Sequence, residues 1–191
     1  MRLRLMVVAT ALSACLAAHA DSFVYDVSIS FGNASVTGTI TTDTNSGTLA
    51  TADITDFNLL LTQGSDSMSE TPANGVALIV GNAVTATASG LFFNFNAGNG
   101  SLLDFQHPFA GSYIDFFCAQ DGNDACIGGP PAGYTLSVGK GTQGGPAGEI
   151  TTEAQTGNVQ IASAVPEPSS LFLLGTGLVG ALGAARRRFS A

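Results

Sequence analysis

The 191-residue chain has no tryptophan, two histidines, three cysteines, and six basic residues against 14 acidic ones. Each shortage removes a class of function. Between residues 21 and 163 the only histidine and cysteines are His107, Cys118 and Cys126, too few for a four-ligand Cys/His zinc site. The basic residues are also placed badly for an anionic partner. Arg2 and Arg4 open the chain and Arg186, Arg187 and Arg188 nearly close it, which leaves Lys140 alone among 13 acids in residues 21–163, a net of −12. Nucleic acid and anionic lipid headgroups, both held by Lys and Arg, are therefore excluded as partners of this region. Its acidity reads as the solubility of an exported protein, with divalent-cation or matrix contact as the alternative. No serine sits in a G-x-S-x-G elbow.

What is present at the two ends concerns routing. Arg2 and Arg4 precede the apolar run Leu5 to Leu16, and Ala18-His19-Ala20 follows as a small-x-small cleavage site. This order predicts a secretory signal peptide over residues 1–20 and a mature chain starting at Asp21. Leu12-Ser13-Ala14-Cys15 also resembles a lipoprotein signal, in which Cys15 would carry the lipid. At the other end, Ser169 to Ala185 is uncharged over 17 residues. A helix of that length spans roughly 25 Å, slightly short of the ~30 Å hydrocarbon core. Thinning and arginine snorkelling absorb the difference, and Arg186, Arg187 and Arg188 would hold that end in the cytoplasm. Thr176, Gly180 and Ala184 repeat every four residues, giving either a close-approach helix face or the ordinary small-residue content of such a segment. Just before it, Pro166 and Pro168 lack N–H groups and disfavour helix in their predecessors, so Val165 to Pro168 is expected to be extended.

These residues, Val165-Pro166-Glu167-Pro168-Ser169-Ser170, then the Gly/Leu-rich run, then Arg186-Arg187-Arg188, resemble the PEP-CTERM sorting tail of Gram-negative bacteria. The resemblance covers about the last 27 residues. It implies recognition by an exosortase, a membrane protease or transpeptidase with a catalytic cysteine, and removal of the anchor during export. Carried over residue by residue, Val165, Pro166, Glu167 and Pro168 form the sorting motif, and Arg186, Arg187 and Arg188 the stop signal.

Between the ends, apolar residues alternate with polar ones. Phe23, Tyr25, Val27, Ile29 and Phe31 fall on one face while Ser22, Val24, Asp26, Ser28 and Ser30 fall on the other, the signature of a half-buried strand. Similar short runs occupy 36–40, 57–61, 76–80, 84–88, 91–95, 102–105, 113–117, 134–138 and 159–162. Turn clusters such as Asp43-Thr44-Asn45-Ser46-Gly47 and Asn96-Ala97-Gly98-Asn99-Gly100 separate them. The expected fold is all-β: one antiparallel β-sandwich or jelly roll over residues 21–163, flanked by the signal peptide and by a sorting tail, 164–191, with its transmembrane helix at 169–185. Residues 141–157, rich in Gly, Thr and Gln, read as a long loop.

Four groups of side chains are candidates for chemistry. Cys118 and Cys126 flank a turn-rich heptapeptide in an exported chain, which favours a disulfide over free thiols or a redox pair. The chain-entropy model assigns such a short loop roughly 2.5 kcal/mol. Asp121, Asn123 and Asp124 are weak Ca²⁺ candidates: counting from Asp121, Ala125 and Ala132 fall at the fifth and twelfth positions, where an EF-hand needs oxygen ligands. His107 with Asp104 and a serine would be the only material for a hydrolase triad. Thr37, Thr39 and Thr41, and Thr85 with Thr87, set hydroxyls in rows that suit ice or polysaccharide, or simply the preference of threonine for exposed strands.

Taken together, the expectation is an exported surface or extracellular-matrix protein without catalytic activity or cofactor, anchored in the inner membrane as an intermediate. Its expected partners are the exosortase, the membrane through the tail and, beyond them, extracellular polysaccharide. A carbohydrate-binding or carbohydrate-acting β-sandwich and a Cys15 lipoprotein are the alternatives.

Overall fold

A computed structural model describes residues 22–98, 100–107, 114–122, 135–141 and 150–166. Their strands are β1 (Phe23–Phe31), β2 (Ala34–Thr42), β3 (Gly47–Thr48), β4 (Ile54–Gln63), β5 (Asp66–Glu70), β6 (Val76–Val80), β7 (Val84–Thr87), β8 (Gly90–Asn94), β9 (Leu102–Gln106), β10 (Ile114–Gln120), β11 (Thr135–Gly141), β12 (Ile150–Ala154) and β13 (Asn158–Ala164). All pairings are antiparallel and form two sheets, one of order β3-β7-β8-β13-β1-β2-β4-β5 and one of order β12-β11-β10-β9-β6. Eight strands facing five differ from the two four-stranded sheets of a jelly roll. The sandwich is the expectation that fits.

Alternation in the sequence becomes burial in the structure. On β1, Tyr25, Val27 and Phe31 are buried while Val24, Asp26, Ser28 and Ser30 are exposed. The inner faces of both sheets feed one core, in which Val36, Leu59, Leu61 and Phe93 of the large sheet join Leu103, Phe105, Phe117 and Val138 of the small one. Phe57 meets Phe105 edge to face at 5.2 Å across the two sheets, and Phe105 stacks on Phe117 at 6.3 Å. Burial of each such side chain contributes about 1.5–3 kcal/mol.

Gly38, at the centre of β2, sits at φ 132, and a Cβ there would lie 2.0 Å from the Asn58 carbonyl oxygen on β4. Only glycine permits the close pairing of β2 with β4 at this point.

One expectation is corrected. Residues 141–157 are not a continuous loop: Gly141 ends β11 and Ile150–Ala154 form β12 at the edge of the small sheet. An edge strand is exposed and needs little apolar content, so Ile150-Thr151-Thr152-Glu153-Ala154 relies on β-branched residues and pairing with β11. Thr151 ties this edge to the β1–β2 turn, donating to Asn33 Oδ1 at 2.5 Å and accepting from Gln63 Nε2 at 3.2 Å.

Candidate functional site

The sorting motif leaves the fold from β13. This strand lies inside the large sheet between β8 and β1. Against β8 its register shifts between Gln160 and Ala162, a bulge that turns the strand. Against β1 it makes two pairs only, Tyr25 with Ala164 and Asp26 with Ser163. Where the two strands diverge, a polar cleft of about 210 Å³ opens between Asp26, Ser28, Gln160, Ile161, Ala162 and Ser163. Gln160 Nε2 donates to Ser89 O at 3.0 Å and to Ala162 O at 3.3 Å, satisfying carbonyls at the bulge.

Beyond the last pair the chain stays on the sheet for one more bond. Ala164 N–H donates to Ser89 O at 3.0 Å, and Val165 N–H to Val24 O at 2.9 Å. Pro166, with no N–H to give, ends the ladder. Val165 and Pro166 are both exposed and line a cavity of about 410 Å³ with Phe23, Val24, Tyr25, Asn45, Thr87, Ala88 and Ala164. That lining is apolar and hydroxyl-bearing and contains no charged side chain. The remaining tail residues singled out in the sequence, Glu167, Pro168, the 169–185 run with Thr176, Gly180 and Ala184, and Arg186, Arg187 and Arg188, lie outside the described residues. So does the 1–20 segment with Cys15. Among the described residues no helix is long and apolar enough to cross a membrane.

The other candidates are dispersed. Asp121 is fully buried, and its two carboxylate oxygens accept the Gly98 N–H at 3.0 Å and the Ser101 N–H at 2.5 Å, while its own N–H donates to Ser101 O at 3.0 Å. It therefore fastens Gly98 and Ser101 to the end of β10. Asn123 and Asp124 lie outside the described residues, among which no three His, Cys, Asp or Glu side chains gather as a metal site. Asp104 is fully buried within β9, whereas His107 follows the strand's last residue, Gln106, and is half-buried. Cys118 is fully buried on β10, opposite Asp104 and Ser137 in register; Cys126 lies outside the described residues. Thr37, Thr39 and Thr41 line the outer face of the large sheet, in register with Ser28, Asp26 and Val24 on β1 and with Leu60, Asn58 and Asp56 on β4. Thr85 and Thr87 fall on the corresponding face of β7.

The burial of two acids had no sequence signal. Glu70, on the inner face of β5 beside Leu59 in register, and Asp104 are fully buried, and none of their carboxylate oxygens has a hydrogen-bond partner. Burial, followed by the charges of Asp104 and Asp115, pushes Glu70 up to about 9 against a smaller opposing effect of the His107 amide. Burial alone pushes Asp104 up to about 7. Alternation sends Asp104 to the outer face of the small sheet, with Leu78 and Cys118, and Glu70 to the inner core, with Met68.

An antiparallel sandwich whose strand β13 runs, within two residues, into a proline-bracketed acid, an uncharged apolar stretch and three arginines has the layout of a protein sorted through its tail. The model of the PEP-CTERM protein-sorting motif matches residues 164–188, so the chain carries that motif. The match begins at Ala164, the residue paired with Tyr25, and covers the tail rather than the sandwich. It implies an exported, membrane-passing protein with an exosortase as its processing partner. No curated protein and no solved structure matches the chain.

Proposed function

We propose that this is a non-enzymatic exported protein. In this reading the signal peptide of residues 1–20 sends the sandwich out, and residues 169–185 hold it in the inner membrane as a helix stopped by Arg186, Arg187 and Arg188. An exosortase reading Pro166-Glu167-Pro168 then releases it to the cell surface or the extracellular polysaccharide matrix. The match of the sorting motif to residues 164–188 carries the reading. A Cys118–Cys126 disulfide belongs to the same reading, supported by the full burial of Cys118 on β10 and by the oxidising destination of an exported chain. Replacing Pro166-Glu167-Pro168 by alanines is expected to leave full-length protein in the inner membrane; processing and release at the parental rate would defeat the reading. Mass spectrometry of the mature N-terminus separates it from the lipoprotein alternative, since a free Asp21 excludes lipid on Cys15.

A second reading, carbohydrate binding, is favoured by one observation. Ser28, Ser30, Ser35, Thr37, Thr39, Asn58 and Thr62 form exposed or half-exposed rows in register across β1, β2 and β4, spaced ~4.8 Å between strands and ~6.8 Å along them. Binding of the processed protein to a glycan array, lost when Thr37 and Thr39 become lysines, is the expected result of that reading.

A further inference from the structure

The sorting motif is a linear signal, yet its first residues are part of the folded sheet. Val165 is held on β1 by its N–H to Val24 O, one residue beyond the Tyr25–Ala164 pair. Val165 and Pro166 then form one wall of the 410 Å³ cavity, whose other walls are the start of β1, Asn45, and Thr87 with Ala88. Both residues remain exposed there, so the fold fixes them without hiding them.

Chain length makes this placement consequential. Only Val165, Pro166, Glu167 and Pro168 separate β13 from the uncharged run that begins at Ser169. Four extended residues reach roughly 13 Å. A membrane protease acting on that stretch works within touching distance of the end of the sandwich. Either the end of the domain is an obstacle, or it is part of what the enzyme meets. The cavity lining carries no charge in a region of net −12, and Val24 and Val165 expose 38% and 36% of their surface there. An uncharged, partly apolar rim continuous with the recognised residues is suited to contact rather than to repulsion.

Resting on the exosortase reading of the tail, we propose that the folded domain presents the motif. The β13–β1 pairing holds Val165 and Pro166 extended, and the rim formed by Val24, Asn45, Thr87 and Ala88 is a docking surface for the exosortase beside the motif. Holding the segment in its bound form removes part of the ordering cost of recognition.

The test follows processing of the full-length chain during export in a host that has the exosortase. A Gly/Ser insert of about eight residues between Ala164 and Val165 leaves β13 paired but frees the motif. It is expected to slow processing roughly five- to thirtyfold, the penalty of ordering one residue, Val165, that the domain otherwise holds. Processing at an unchanged or higher rate overturns the proposal, because an obstructing domain would be relieved by the same insert. Val24→Lys is expected to slow processing while Ser30→Lys, at the opposite end of β1, does not; equal effects of the two remove the docking rim. Unchanged melting temperatures of the released proteins exclude misfolding as the cause. The Pro166-Glu167-Pro168 to alanine variant keeps the two readings apart. If it is processed normally, the exosortase reading fails; if it is blocked while the insert is tolerated, only the presentation by the domain fails.

Discussion

Glu70 and Asp104 occupy sites that water does not reach, and the native state holds both in or near the protonated form at neutral pH. Their folded values, about 9 and about 7, lie above the ordinary 4.5 and 3.8. The native state therefore binds more protons than the unfolded chain across that interval, and stability is lost as pH rises. It is fully present below about pH 4 as far as these two groups are concerned, and the loss continues through about pH 9. The melting temperature of the released domain is accordingly expected to fall between about pH 5 and pH 9. Glu70→Gln with Asp104→Asn, which cannot ionise, should flatten that slope; an equally steep profile in the double variant would assign it to other groups. Asp121 is buried too, but both of its carboxyl oxygens accept backbone amides. Asp121→Ala leaves the Gly98 and Ser101 N–H groups without an acceptor, and denaturant unfolding is expected to register a loss of about 2–4 kcal/mol. None of these roles was legible in the sequence. Acids between polar neighbours read as solvent-facing, and the amides that Asp121 accepts are 23 and 20 residues away.

Among the elements, the strands that alternate cleanly are the ones the pattern reveals: β1, β2, β4 and β8 each bury one apolar face. β5 and β12 escape it for different reasons. In Asp66–Glu70 the inward residues are Met68 and Glu70, so the face that enters the core carries a charge symbol. In Ile150–Ala154 no residue is fully buried, because the strand lies at an edge. Close approach of β2 to β4 at Gly38 is equally invisible to hydrophobic patterning, yet it fixes the centre of the large sheet. Gly38→Val has to move the Asn58 backbone and adopt a φ that L-residues avoid. A loss of roughly 3 kcal/mol or more is expected, read as reduced yield of folded protein or an early denaturant midpoint.

At the scale of the whole molecule, the tail was legible as a linear motif, whereas the end of the sandwich it leaves from was not, since strand order has no signature in the sequence. Because β1 and β13 are antiparallel, Phe23 and Val165 emerge at the same end. If the tail anchors the domain as proposed, both ends of the sandwich's β1–β13 pair are on the side turned toward the membrane. The turn after β1, at Gly32 and Asn33, and the β4–β5 turn at Gly64 and Ser65 meet through Gly64 N–H and Asn33 O at 2.9 Å. They lie the length of β1 away, roughly 30 Å for nine residues. On that reading Asn45, which lines the cavity with Val165 and Pro166, and its neighbour Ser46 are turned toward the bilayer, and Ser65 away from it. Ser46 and Ser65 are both exposed on the domain itself, so a cysteine at either position should react equally with a bulky maleimide once the tail has been removed. Before removal, Ser46→Cys is expected to react several-fold more slowly than Ser65→Cys. Equal rates in the anchored precursor would mean that the domain tilts freely on the four residues of its tether, and that no fixed face of the sandwich is turned toward the membrane.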